Sequence, residues 1–300
     1  MRACRRNEFL RRGSFFKRTS FFCLVLMWTL STSCLLPSPP GKSVYQDKRV
    51  LKNAHGEFEL YSPTTRDLTQ YRSGRERWNT YSDERPAKNL LFVAVDDTVQ
   101  GQFQEPLQDA YHTNNNVRIE DIAWWRFSPE FRGLYDKVLK IDFKGLNADS
   151  LKWGLEYLES LEKEFDVMLL THGLPNNITA SKGQGFISYK DLKSMGPFKN
   201  LNLVFMQGCF SETLAMDWIK NGAQTVLSYE GWNRNFFYVD FFLPAYRKKG
   251  NAEKAYKEVN ATIKAKMQRS WIYGRVLNEL DFTLEEYFSV SPHPILDQAQ

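Results

Sequence analysis

A thiol and an imidazole hold matching places in two short segments of the chain. Residues 166–173 (DVMLLTHG) run apolar and stop at His172 and Gly173, while residues 201–209 (LNLVFMQGC) run apolar and stop at Gly208 and Cys209. Cysteine attacks as its thiolate, and a free thiol is mostly protonated at neutral pH, so it needs a base. An imidazole within reach takes that proton and later returns it to the leaving group. The glycines have their own uses. Gly208 permits a sharp turn out of a strand, and the backbone N–H groups of Gly173 and Cys209 are donors for a developing oxyanion, a task that needs no side chain. Release of an acyl intermediate by water would complete a hydrolysis, with no cofactor and no metal. Each motif alone is common as plain structure; what carries weight is the conjunction of both, 37 positions apart.

Each of the two runs reads as a buried parallel strand that ends at the carboxyl edge of a sheet, where open α/β sheets place their ligands. Residues 90–95 (LLFVAV) form a third such strand, closed by Asp96 and Asp97, whose carboxylates suit solvated loop positions, helix caps or a ligand contact. Residues 137–143 look like a further strand. Leu151, Leu155, Leu158, Leu161 and Phe165 line one face of a helix capped near Asn147 or Asp149, which feeds the His172 strand and makes a strand, helix, strand unit with a right-handed crossover. Ser188 and Asp191 form a capping-box pattern ahead of a short helix. Past Cys209, residues 211–220 read as a helix whose amino end would favour a thiolate. A strand over 224–229 then ends in Glu230 and Trp232, and helices follow over 236–249 and 252–267. Two stretches are read as irregular: residues 43–88, with a short strand near 57–61, and the poorly periodic 98–133, of a length that suits a lid or binding insertion. The expected fold is α/β, a three-layer sandwich on a mostly parallel sheet, occupying residues 46–300 with its core over about 88–265.

The first 33 residues differ from the rest. Seven basic residues against Glu8 precede the apolar run 21–30, the plan of a signal peptide, and ten apolar residues are too few to span a bilayer comfortably. The leader's +6, set against a whole-chain charge of +5, leaves about −1 for the remainder, so the basic balance is no argument for nucleic-acid binding. Ser31, Thr32 and Ser33 before Cys34, with Leu30 four places back, resemble a bacterial lipoprotein cleavage box, in which the cysteine becomes the lipidated first residue. The usual box has its large aliphatic residue one place nearer. Residues 34–45 are Pro-rich and suit an extended tether. Of the four cysteines, Cys4 and Cys23 lie in the leader and Cys34 would be acylated, which leaves Cys209 alone in the folded part.

A strand ending in His172-Gly173, then one ending in Gly208-Cys209 ahead of a helix, resembles the His-Gly and small-Cys signatures of the caspase-like superfamily of cysteine peptidases, which includes caspases, legumains, clostripains, gingipains and CHAT domains. The segments 221–232 and 252–256 are similar to those after the cysteine in CHAT-like members. The likeness implies Cys209 as nucleophile, His172 as general base and acid, and Gly173 with Cys209 as oxyanion donors. It also implies a pocket built from the ends of the first strand and of the strand after the cysteine, here Asp96, Asp97, Glu230 and Trp232, whose acidity suits a Lys or Arg side chain of a protein or peptide substrate. The arginine that caspases carry after the first strand is missing, so cleavage after Asp is not expected. The alternative is a non-catalytic binding or scaffold lipoprotein on the same fold.

Overall fold

In a computed structural model, the residues described are 47–62, 88–94, 118–131, 134–181, 185–231, 237–269 and 293–296. The leader, Cys34, Asp96, Asp97 and Trp232 lie outside them.

The parallel strands form around five largely apolar runs. β3 (Lys88–Ala94), β4 (Tyr135–Ile141), β5 (Phe165–Leu170), β9 (Leu201–Met206) and β10 (Thr225–Ser228) pair in parallel in the order β4-β3-β5-β9-β10. Of these, β3, β5 and β9 are the most continuous. Asn89 to Ala94 and all of β5 are buried, as expected for strands covered on two sides. Helices α1 (Ile119–Phe131), α5 (Phe237–Lys249) and α6 (Ala252–Arg269) cover one face, packing Phe127, Phe131, Phe242 and Tyr246 on Phe92, Met168 and Phe205. Helices α2 (Ala148–Glu159), α3 (Tyr189–Lys193) and α4 (Ala215–Lys220) cover the other, packing Leu151, Leu155, Leu192 and Trp218 on Leu91, Val167 and Val204. The result is three layers with a mostly parallel sheet in the middle. The strand order reverses between β3 and β5, and such a reversal opens a crevice at the carboxyl ends.

Antiparallel strands complete both sides of the sheet. β1 (Asp47–Asn53) and β2 (Gly56–Ser62), the latter where a short strand was expected near 57–61, make a hairpin that joins the sheet through β2 and β4, so residues 47–53, read as irregular, are instead an edge strand. Lys48, Arg49 and Lys52 are exposed on β1, where charge discourages pairing with another chain. At the other side β11 (His293–Leu296) pairs with β10, and its Pro294 is tolerated because an edge strand need not donate every N–H.

Three expectations are corrected in detail. Residues 119–131 are a regular helix rather than loop, and the strand expected over 137–143 runs from Tyr135 to Ile141. Helix α2 ends at Glu159, so Leu161 and Phe165 fall beyond it, Phe165 as the first residue of β5. After Cys209 comes a four-residue 3-10 turn (Ser211–Leu214) and only then the six-residue α4, so the help expected from a helix amino end at Cys209 is small.

A candidate thiol and imidazole site

The two reactive side chains leave adjacent strands. Leu169 of β5 sits opposite Met206 of β9, and the Gln207 N–H donates to the Leu169 carbonyl at 2.8 Å, so both chains reach the carboxyl edge in step. His172 is exposed and Cys209 half-buried.

Beyond His172 the chain folds into a small sheet of β6 (Gly173–Leu174), β7 (Asn177–Thr179) and β8 (Phe186–Ser188). Ile178 and Ile187 anchor it in the core, while Leu174 and Phe186 stay exposed. The Thr179 N–H donates to the His172 carbonyl at 3.0 Å, which fixes the backbone beside the ring. In an antiparallel ladder hydrogen-bonded pairs alternate with open ones. Thr179 bonded to His172 therefore makes Gly173 and Ile178 an open pair, and the Gly173 N–H turns away from β7.

The Gly173 backbone lies against the cysteine. A Cβ on Gly173 would lie 2.3 Å from the Cys209 carbonyl oxygen and 3.2 Å from its nitrogen; a Cβ on Gly208 would lie 3.3 Å from the Thr171 oxygen and 3.4 Å from the Gly173 nitrogen. The two loops thus interlock, backbone against backbone, with no room for a side chain at Gly173 and little at Gly208.

The turn after Cys209 is tightly laced. Phe210 takes φ +54°, a left-handed conformation that costs a non-glycine residue and recurs at functional sites. Its N–H donates to the Gly231 carbonyl at 2.9 Å and the Glu212 N–H to the Tyr229 carbonyl at 3.1 Å, so the exit of β10 lies along the cysteine turn. The buried Ser211 hydroxyl donates to the Met206 carbonyl at 3.2 Å and accepts from the Tyr229 N–H at 2.9 Å. The Thr213 hydroxyl donates to the Phe210 carbonyl at 2.8 Å and accepts from the Asn176 N–H at 2.7 Å. Neither hydroxyl announces itself in the sequence, because the groups each one joins are distant along the chain.

Of the expected pocket residues, Glu230 is described; it is exposed, next to the Tyr229 and Gly231 that brace the cysteine turn. Among the described residues no cluster of three or more His, Cys, Asp or Glu is arranged to hold a metal ion.

Fold and site together define an α/β protein of the doubly wound kind, with an imidazole and a thiol on interlocked loops at neighbouring parallel strand ends. No protein-family model matches the chain, and a search of curated proteins finds no match either.

Proposed function

We propose that the chain is a cysteine peptidase of the bacterial envelope, a caspase-like domain held to a membrane through lipid on Cys34. The observation that carries the catalytic part is the interlock of Gly173 with Gly208 and Cys209, which leaves no room for a side chain at 173 and sets the His172 and Cys209 loops against each other. Cys209 Sγ loses its proton to His172 and adds to the scissile carbonyl. The oxyanion is met by N–H groups of Gly173 and Cys209. His172 then protonates the departing amine, leaving a thioester, and water attacks the thioester with His172 again as base, releasing a carboxylic acid and the free thiol. Glu230 beside the turn, together with Asp96 and Asp97, which follow β3 by two and three residues in the sequence, supports a preference for Lys or Arg before the cleaved bond.

The test is a panel of fluorogenic peptides that vary only the residue before the cleaved bond, with Cys209→Ala as control. Wild type turns over the basic members and the variant does not. No turnover, together with no labelling of Cys209 by a thiol-reactive peptide electrophile, sinks the reading.

A further inference from the structure

We infer that Thr213 is a positioning residue that sets the separation of His172 from Cys209. This rests on the peptidase reading above. The hydroxyl bridges the two loops: it donates to the carbonyl of Phe210, next to Cys209, and accepts from the N–H of Asn176, at the tip of the hairpin that begins at His172. Both anchor points have left-handed backbone: among the described residues, Phe210 and Asn176 are two of three non-glycine residues with positive φ, at +54° and +63°, a conformation asparagine tolerates and phenylalanine adopts at a cost. Pro175 fixes φ near −65°, and with Asn176 this gives the φ pair of a type II turn. Two-residue hairpins favour the mirror-image types, because type II splays the strands instead of following their twist. A hairpin with that tendency to open keeps its place over the cysteine turn when its tip is bonded to something fixed. Thr213 supplies the bond, from the 3-10 turn that Ser211 anchors in the core.

Thr213 is exposed, so removal of its hydroxyl leaves the core intact. Loss of a geometric constraint of this kind shows as a loss of rate with little change in binding, since misplacement of reacting groups by about 1 Å costs on the order of 100-fold. The experiment compares full-length wild type with Thr213→Val, Thr213→Ser and His172→Ala. It measures kcat and KM on a basic fluorogenic peptide, and the rate of alkylation of Cys209 by iodoacetamide against pH, followed by mass spectrometry of the peptide that contains Cys209. Thr213→Val is expected to lower kcat roughly 10-fold or more with KM within about 3-fold, and to move the alkylation profile toward that of His172→Ala. Thr213→Ser, which keeps the hydroxyl, stays within about 3-fold of wild type on the same scale. A Thr213→Val profile that superimposes on wild type overturns the inference, even if the melting temperature falls; so does a Thr213→Ser variant as impaired as Thr213→Val. If instead His172→Ala leaves the profile unchanged, the pairing of His172 with Cys209 itself fails, a result separate from any effect at Thr213.

Discussion

A single methyl group on residue 173 would occupy space already taken by the Cys209 carbonyl oxygen, 2.3 Å from the new carbon. Backbone atoms cannot swing aside as a flexible side chain can, so Gly173→Ala must push one loop away from the other. Gly208→Ala meets its nearest neighbour at 3.3 Å, a clash that a small shift relieves. The expected order is therefore a fall in kcat/KM on the order of 100-fold for Gly173→Ala and a clearly smaller one for Gly208→Ala. Equal losses would remove the special role of Gly173. A second residue, far from this site, makes a pH-dependent prediction. Asp166 is fully buried near the amino ends of the strands, where it accepts from Tyr135 and Tyr246 hydroxyls at 3.1 and 2.9 Å and from the Asn202 amide at 2.7 Å. Burial outweighs these bonds and the nearby Lys88 charge, and raises its pKa above the ordinary aspartate value. The folded state then holds a proton that the unfolded chain releases. Its contribution to stability is full below the unfolded pKa of about 3.9 and declines as pH rises through the raised folded value. Asp166→Asn cannot titrate, so urea unfolding from pH 4 to 8 should show wild type losing stability relative to the variant as pH rises. A constant difference across that range would contradict the argument.

Helix α1 shows how an element can be held by charge rather than by an apolar stripe alone. Glu120, in its first turn, is completely buried and pairs with Lys140 of β4 at 2.8 Å, while the Lys140 ammonium also sits 5.7 Å from the centre of the Trp124 ring. Removing Lys140 leaves Glu120 buried with only Arg118, at 3.7 Å, among the described residues to offset its charge, so Lys140→Met should destabilise the protein near pH 7, by at most about 3–5 kcal/mol. Burial already raises the Glu120 pKa and Lys140 works against that rise, so in the variant the carboxyl protonates more readily and the deficit shrinks on acidification. Urea titrations at two pH values check both statements. The same pair explains why this helix was hard to read from sequence. Ala123, Phe127 and Phe131 do repeat at helical spacing, but Glu120 looks like a solvated residue until its partner, 20 positions on, is known. β1 was hidden for a related reason: an edge strand with exposed Lys48, Arg49 and Val50 shows no apolar alternation. By contrast β3, β5 and β9 were legible because two-sided burial demands unbroken apolar runs. The cap of α2, expected near Asn147 or Asp149, is Asn147, with Ser150 N–H to Asn147 Oδ1 and Asn147 N–H to Ser150 Oγ both at 2.9 Å, and the capping box expected at Ser188 and Asp191 is formed. At the site, the strand-end placement of His172 and Cys209 followed from those runs, whereas Ser211 and Thr213 join groups that only the fold brings together.

At the scale of the whole molecule, the site lies on one edge of the sheet and the proposed anchor lies ahead of β1, the outermost strand on the side away from β9 and β10. No helix among the described residues is long and apolar enough to cross a membrane, so attachment through the described part would have to use something other than a helical span. On the proposed reading, residues 34–45 would tether the domain to lipid on Cys34. A fully extended Pro-rich stretch of that length, at about 3.1 Å per residue, would span roughly 37 Å, on the order of a small domain's diameter, so the sheet's carboxyl edge could meet a protein substrate without pressing on lipid. A single chain of lipid binds only weakly, so stable retention requires the multiple acyl chains of a lipoprotein anchor or a second attachment. Cells expressing the full chain and fed labelled fatty acid should incorporate label into the wild type, and Cys34→Ala should lose both the label and the retention in the membrane fraction. The released variant should keep its turnover of the basic peptide within about 3-fold, because the tether positions the domain and takes no part in the chemistry. Unchanged labelling in Cys34→Ala refutes the anchor while leaving the peptidase reading intact; lost labelling with lost turnover in a folded, soluble variant would mean that the tether does more than hold.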